Sequence, residues 1–113
     1  MRSLQNIAYL MNQNAYLELL QKQEFPAPVL VVREHSLFLD HHSHQYEAIA
    51  LVLEGQIDIN IGGAKKICLA GDTFHLLPNQ IHTESTGTKG VKYLVSRKVP
   101  NVEEEVVVQE LET

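Results

Sequence analysis

The chain is 113 residues long, with 44% apolar and 20% charged residues, a composition that excludes a disordered or collagen-like polymer and suits one compact domain. Its net charge of −5 is concentrated at the end, where Glu103, Glu104, Glu105, Glu110 and Glu112 meet no Lys or Arg. The rest of the chain is neutral, so no basic stripe exists to bind nucleic acid or an anionic membrane.

From Ser3 to about Lys22, Leu4, Ile7, Ala8, Met11, Ala15 and Leu19 recur at helical spacing, with Leu10, Leu17 and Leu20 widening the stripe. One or two helices are predicted, because Asn12 and Asn14 suit a cap or a break better than a helix interior. This stretch lacks the apolar core of a signal peptide, and no later apolar run approaches the roughly 20 residues of a membrane span. A cytoplasmic protein is therefore expected. Phe25-Pro26-Ala27-Pro28 ends the helical region, since each proline removes an N–H donor and biases its predecessor towards extended backbone.

After Pro28 the period changes to that of short strands: Val29–Arg33, Ser36–His41, Ala48–Leu53, Gln56–Ile61, Lys65–Leu69, Thr73–Leu77, Gln80–Glu84 and Val91–Arg97. Glu54-Gly55, Gly62-Gly63, Ala70-Gly71-Asp72 and Pro78-Asn79 read as the turns between them. Many short strands at regular spacing predict an all-β sandwich or barrel. Gln56–Ile61 alternates isoleucines with polar residues, as a half-exposed strand does. Ala48–Leu53 is apolar on both faces, so it needs two covers, the core and either the N-terminal helix or a second copy of the chain; a homodimer is the economical expectation. Cys68 stands alone in an apolar run and reads as a small buried hydrophobe. The chain thus divides into a helical segment (1–28), a β-barrel (29–100) and an acidic tail (101–113), whose Val106-Val107-Val108 is expected to be partly ordered at best.

The chemistry is concentrated in histidine. In His42-Ser43-His44 the two imidazoles of a strand share one face about 7 Å apart, close enough to hold one ion. His82, just past Pro78-Asn79-Gln80-Ile81, is the candidate third ligand. His41 is out of phase with the pair, and His35 sits in a polar turn beside Arg33 and Glu34, so both are bystanders.

Residues 36–96 resemble the cupin family. Its first motif runs His-x-His, then Glu, then Gly, and is matched by His42-Ser43-His44 and Gly55; its second runs Gly, a short apolar strand, Pro-x-Gly and His, and is matched from Gly71 through Pro78-Asn79 to His82. Asn79 replaces the glycine, and asparagine is the residue that best tolerates a left-handed backbone in its place. The resemblance implies a double-stranded β-helix, the jelly-roll barrel, with an N-terminal helical segment and a divalent metal held by His42, His44 and His82. The family's Glu position holds Ala48, and Glu47 lies one residue too early, so Glu47 joins the ligands only if a bulge absorbs the slip.

Three imidazoles with open positions suit a metal that does chemistry, with iron or zinc favoured and nickel, copper or manganese behind them; a missing carboxylate counts against manganese. Ala48 and Ala50 are expected to line a cavity and leave room for a small organic ligand, unless aromatic rings fill it. His75 either lines that cavity or faces outward. Glu84 shares the face of His82 and either assists a ligand or proton there or is simply solvated. Two functions follow from the resemblance. One is a metalloenzyme, dioxygenase- or isomerase-like, acting on a small molecule in the barrel. The other is a binding or sensing module similar to the effector domain of arabinose-type transcription regulators, acting through a partner.

Overall fold

The computed structural model describes residues 12–100. The apolar stripe up to Met11 and the acidic tail with Val106-Val107-Val108 lie outside the described residues. Helix α1 (Gln13–Lys22) starts where the asparagines predict a break: the Asn12 Oδ1 accepts the Ala15 N–H at 2.8 Å, satisfying one of the free donors of the first turn. The helix stops before the prolines. Glu24 adopts a left-handed φ of 60°, and the N–H groups of Glu24 and Phe25 return to the carbonyls of Gln21 and Leu20, which closes the last turn.

Six strands follow: β1 (Val29–Arg33), β2 (Phe38–His42), β3 (Glu47–Ile61), β4 (Ala64–Leu69), β5 (Thr73–Leu76) and β6 (His82–Lys98). Eight shorter strands were expected, and two pairs of them are fused. Ala48–Leu53 and Gln56–Ile61 form one strand, β3, and β6 joins the expected strands that end at Glu84 and begin at Val91. The hairpin expected at Glu54-Gly55 does not form because that glycine serves a bulge. The β3–β6 register slips between Val52 and Glu54 and again between Gly55 and Ile57. Gly55 (φ 81°) and Gly90 (φ 79°) meet there so closely that a Cβ on Gly55 would collide with the Gly90 carbonyl oxygen. By contrast, Gly62-Gly63 makes the expected two-residue hairpin, with φ of 56° and 87° at the two glycines.

These bulges let two long strands serve two sheets. The first half of β3 and the second half of β6 pair with each other and with β5 and β1; the remaining halves pair with each other and with β4 and β2. The sheet so formed is antiparallel throughout and folds over on itself as a jelly roll. Each bulge inserts unpaired residues and so changes which parity faces inward. On β3 the buried interior residues are Ala48, Ala50 and Val52 before the bulge and Ile57 and Ile59 after it; on β6 they are His82 and Thr86, then Val91, Tyr93 and Val95. With Cys68, Phe74 and Leu76 the apolar members of this set form the barrel core, and Cys68 is the buried hydrophobe the sequence suggests.

The doubly apolar strand is covered on its other face by α1. Tyr16 and Leu20 pack with Phe25 on Ile49 and Leu51, and the Tyr16 hydroxyl donates to the Ile49 carbonyl at 2.7 Å. Burying these two helix side chains contributes roughly 1.5–3 kcal/mol each. That face therefore needs no second copy of the chain for its cover. No helix among the described residues is long and apolar enough to cross a membrane.

Candidate metal centre

His42 is the last residue of β2 and lies directly opposite His82, the first residue of β6. His44 follows in the loop, and the Pro78-Asn79 turn fastens it there: Asn79 takes a left-handed φ of 62° and its N–H donates to the His44 carbonyl at 2.6 Å. The two histidine segments, distant in sequence, are thus joined by strand pairing at one point and by a turn hydrogen bond at another. Ring centroids lie 5.0 Å apart for His42 and His44, 4.3 Å for His42 and His82, and 5.3 Å for His44 and His82.

The fourth member of the cluster is Glu84. One donor atom from each of His42, His44, His82 and Glu84 lies within 4.8 Å of the others. Glu84 is two residues beyond His82 on β6, so both side chains enter the barrel from the same face. Its Oε2 is 3.0 Å from His82 Nε2 and 3.3 Å from His42 Nε2. His82 is fully buried, and the Glu84 side chain is 12% exposed, so the carboxylate is no solvated surface group.

Glu47 is not in this group. The β3–β6 register runs without a slip from Glu47 to Val52, so no bulge turns Glu47 inward. Its carboxylate faces the outside and meets His75 Nε2 at 2.5 Å. His75 is exposed and pairs with Ile49, on the outer face, which corrects its reading as a cavity residue. Of the two alanines, Ala48 lines the cavity beside the cluster. Ala50 is buried in the core and is not among the lining residues. His41 is exposed and bonded to Asp40, and His35 is exposed, with its carbonyl accepting from the Thr86 hydroxyl; neither reaches the cluster.

The hydrogen bonds of the cluster decide what it can hold. His42 Nδ1 lies 2.6 Å from the Asp40 carbonyl oxygen, and His82 Nδ1 lies 2.9 Å from that of Gln80. A carbonyl only accepts, so both Nδ1 atoms carry the proton and each Nε2 presents its lone pair to the cluster. Yet each Nε2 also faces a carboxylate oxygen, which again only accepts. A neutral imidazole cannot donate at both nitrogens, so the arrangement calls for a proton or a cation between Nε2 and carboxylate. Either protons fill the gap, on the Glu84 carboxyl or on the rings, whose centroids are 4.3 Å apart, or a cation sits among them. A carbonyl-oriented Nδ1 with a free Nε2 is the usual support of a metal-bound histidine. Burial, followed by the neighbouring His42 and His82, pushes the His44 imidazole below its usual range, with Glu84 opposing. The neutral form that a metal requires is thereby favoured.

The cavity beside the cluster measures about 100 Å³ and is lined by residues from both halves of the barrel. Phe74 and Tyr93 meet edge to face at 5.4 Å, and together with Tyr46 they narrow the space without filling it. Arg33 and Arg97 reach the same cavity, and neither was singled out in the sequence. A larger groove of about 380 Å³ lies over the Gly55–Gly90 bulge, but no histidine lines it.

The cupin domain family matches residues 30–96, and the chain belongs to that family. Among solved structures, an RmlC-like cupin from Shewanella frigidimarina aligns with a TM-score of 0.54 at 23% identity, covering 66% of this chain and 67% of that one. KdgF from a Halomonas species aligns at 0.54 and 18% identity, covering 63% and 68%. The DMSP lyase DddQ from Ruegeria pomeroyi aligns at 0.57 and 20% identity, covering 64% of this chain and 37% of the lyase. Likeness at such identities shows the fold. No curated protein matches the chain.

Proposed function

We propose that the chain is a metal-dependent cupin that holds a divalent cation with His42, His44, His82 and Glu84 and acts on a small organic molecule in the adjoining cavity. The observation that carries this reading is the double acceptor environment of His42 and His82: each ring has a carbonyl oxygen on one nitrogen and the Glu84 carboxylate on the other. One divalent ion resolves both conflicts at once, whereas a single proton on Glu84 or on one ring resolves one of them and two adjacent imidazolium rings would repel.

The carboxylate changes the choice of metal. Three nitrogens alone favour iron or zinc, but an oxygen ligand restores the hard donor that manganese prefers. Iron, zinc and manganese therefore lead, followed by nickel and copper. When bound, the metal supplies a Lewis acid that polarises an oxygen of the ligand. The chain's own residues orient the imidazoles through the Asp40 and Gln80 carbonyls, wall the inner side of the cavity with Phe74, Leu76 and Val95, and hold a proton on the buried Tyr93 hydroxyl, which burial pushes up. An enzyme is favoured over a sensing module because a DMSP lyase is built on the same fold and four protein donors leave two positions open on a six-coordinate ion such as Fe²⁺ or Mn²⁺, although they would complete a tetrahedral zinc site.

Metal analysis of protein purified without chelators tests the reading. The expected result is one divalent ion per chain, lost in the triple variant His42→Ala, His44→Ala, His82→Ala while far-UV circular dichroism keeps its β signature. Wild-type protein that binds none of Zn²⁺, Mn²⁺ or Fe²⁺ with micromolar or better affinity overturns it.

A further inference from the structure

Arg33 ends β1 and Arg97 lies one residue before the end of β6. Both follow the inward parity of their strands: Val31 packs on the core two residues before Arg33, and Val91, Tyr93 and Val95 precede Arg97. Both line the cavity beside the cluster, together with His42, His44 and Glu84, and Arg33 also borders the groove over the bulge. Neither guanidinium is paired with a carboxylate among the described residues. Glu84, the carboxylate that lines the cavity with them, is already engaged by His42 and His82.

Arg97 is also held in line with the cluster. Its Cζ lies 5.6 Å from the centroid of the Tyr46 ring, and Tyr46 stacks on His44 at 4.7 Å with the rings 8° from parallel. A guanidinium over an aromatic face is attracted by the ring quadrupole and keeps its donors free at the edge. Tyr93 adds a hydroxyl deep in the same space, within the influence of Glu84, Arg33 and Arg97. Two guanidiniums and phenols thus border a small space whose one lining carboxylate, Glu84, is engaged by His42 and His82.

We propose that the cavity takes a small carboxylate anion, a mono- or dicarboxylate of about three or four carbons, with a carboxylate gripped by Arg97 and Arg33 and the other end turned to the histidine cluster. The size follows from a cavity of about 100 Å³, roughly seven to ten water-sized positions. The charge follows from the guanidiniums, whose planar donor pairs match a carboxylate in bidentate fashion. Only the direction in which the ligand lies rests on the metal reading; the preference for an anion does not.

Calorimetric titration with malonate, a three-carbon dicarboxylate, against malonamide, its neutral counterpart, tests the proposal on full-length protein with and without Zn²⁺. Malonate is expected to bind at least ten times more tightly than malonamide. Arg97→Gln and Arg33→Gln each lose at least tenfold in malonate affinity while Zn²⁺ affinity stays within twofold. Arg97→Lys, which keeps the charge but not the fork, falls between. Equal binding of the two ligands, no malonate binding up to 10 mM, or unchanged malonate affinity in both glutamine variants overturns the proposal. Arginine-dependent malonate binding in a protein that takes up no metal upholds it and removes the metal reading instead.

Discussion

Replacing Glu84 with glutamine removes one negative charge and leaves the side chain's shape almost unchanged, so it isolates the electrostatic part of the candidate centre. The Glu84 Oε2 is 3.0 Å from His82 Nε2 and 3.3 Å from His42 Nε2, in a side chain 12% exposed. At a separation of about 3 Å a carboxylate and each unit of a bound ion's charge interact by about 5 kcal/mol at an effective dielectric of about 20. Desolvation of the buried carboxylate cancels a large part of that. A net of about 2–3 kcal/mol remains, or roughly 30- to 150-fold in the dissociation constant for a divalent ion. Calorimetry with Zn²⁺ and Mn²⁺ reads this directly, and Glu47→Gln is the matched control, because that carboxylate faces outward onto His75. The control is expected to stay within about twofold of wild type, the size of a remote screened charge. If Glu84→Gln binds metal as wild type does, or Glu47→Gln loses as much as Glu84→Gln, the assignment of the fourth ligand is wrong.

Gly55→Ala places a Cβ against the Gly90 carbonyl at a left-handed φ of 81° and is expected to cost about 3 kcal/mol or more, whereas Gly62→Ala, with open space around it, costs about 1 kcal/mol; urea unfolding midpoints compare them, and equal losses would mean that the bulge is not as tight as described. Asn79→Gly is expected to leave Zn²⁺ affinity within about threefold, since glycine keeps the left-handed φ of 62° and the N–H that bonds His44, while Asn79→Pro removes that donor and weakens metal binding more than tenfold; similar affinities in both variants would detach the turn from the site. Burial pushes the Tyr16 hydroxyl up to about 12 from an ordinary 10.0. Between those values the unfolded chain has already lost this proton and the folded one retains it, so stability falls as pH rises, by at most about 2.7 kcal/mol. Tyr16→Phe removes that part of the alkaline slope at a cost of about 1–2 kcal/mol near neutral pH, and a phenylalanine variant with the wild-type slope from pH 9 to 12 would show that another group titrates.

Much of the barrel was legible because strand signals are local. β1, β4 and the Gly62-Gly63 hairpin fall where the residues predict them, within a residue, since alternation and paired glycines act through nearest neighbours. The same locality misread Glu54-Gly55. A glycine with positive φ suits a turn and a bulge equally well, and only the opposing Gly90, 35 positions away in the chain, settles which it is.

His42, His44 and His82 could be selected from the sequence because residue type and spacing mark them. Glu84 and Glu47 could not be ranked that way, since both are single glutamates near a histidine and their roles depend on which face of a sheet each one reaches. The sequence by itself determined the strand-rich chain, the helical stretch that ends before Pro26 and the histidines available for a metal. Tertiary structure decided the fourth donor, the outward turn of Glu47 and His75, and the meeting of Arg33 with Arg97 in one cavity. The physical reason is parity: side chains alternate along a strand, each bulge reverses the alternation, and a bulge exists only where two distant backbones press together.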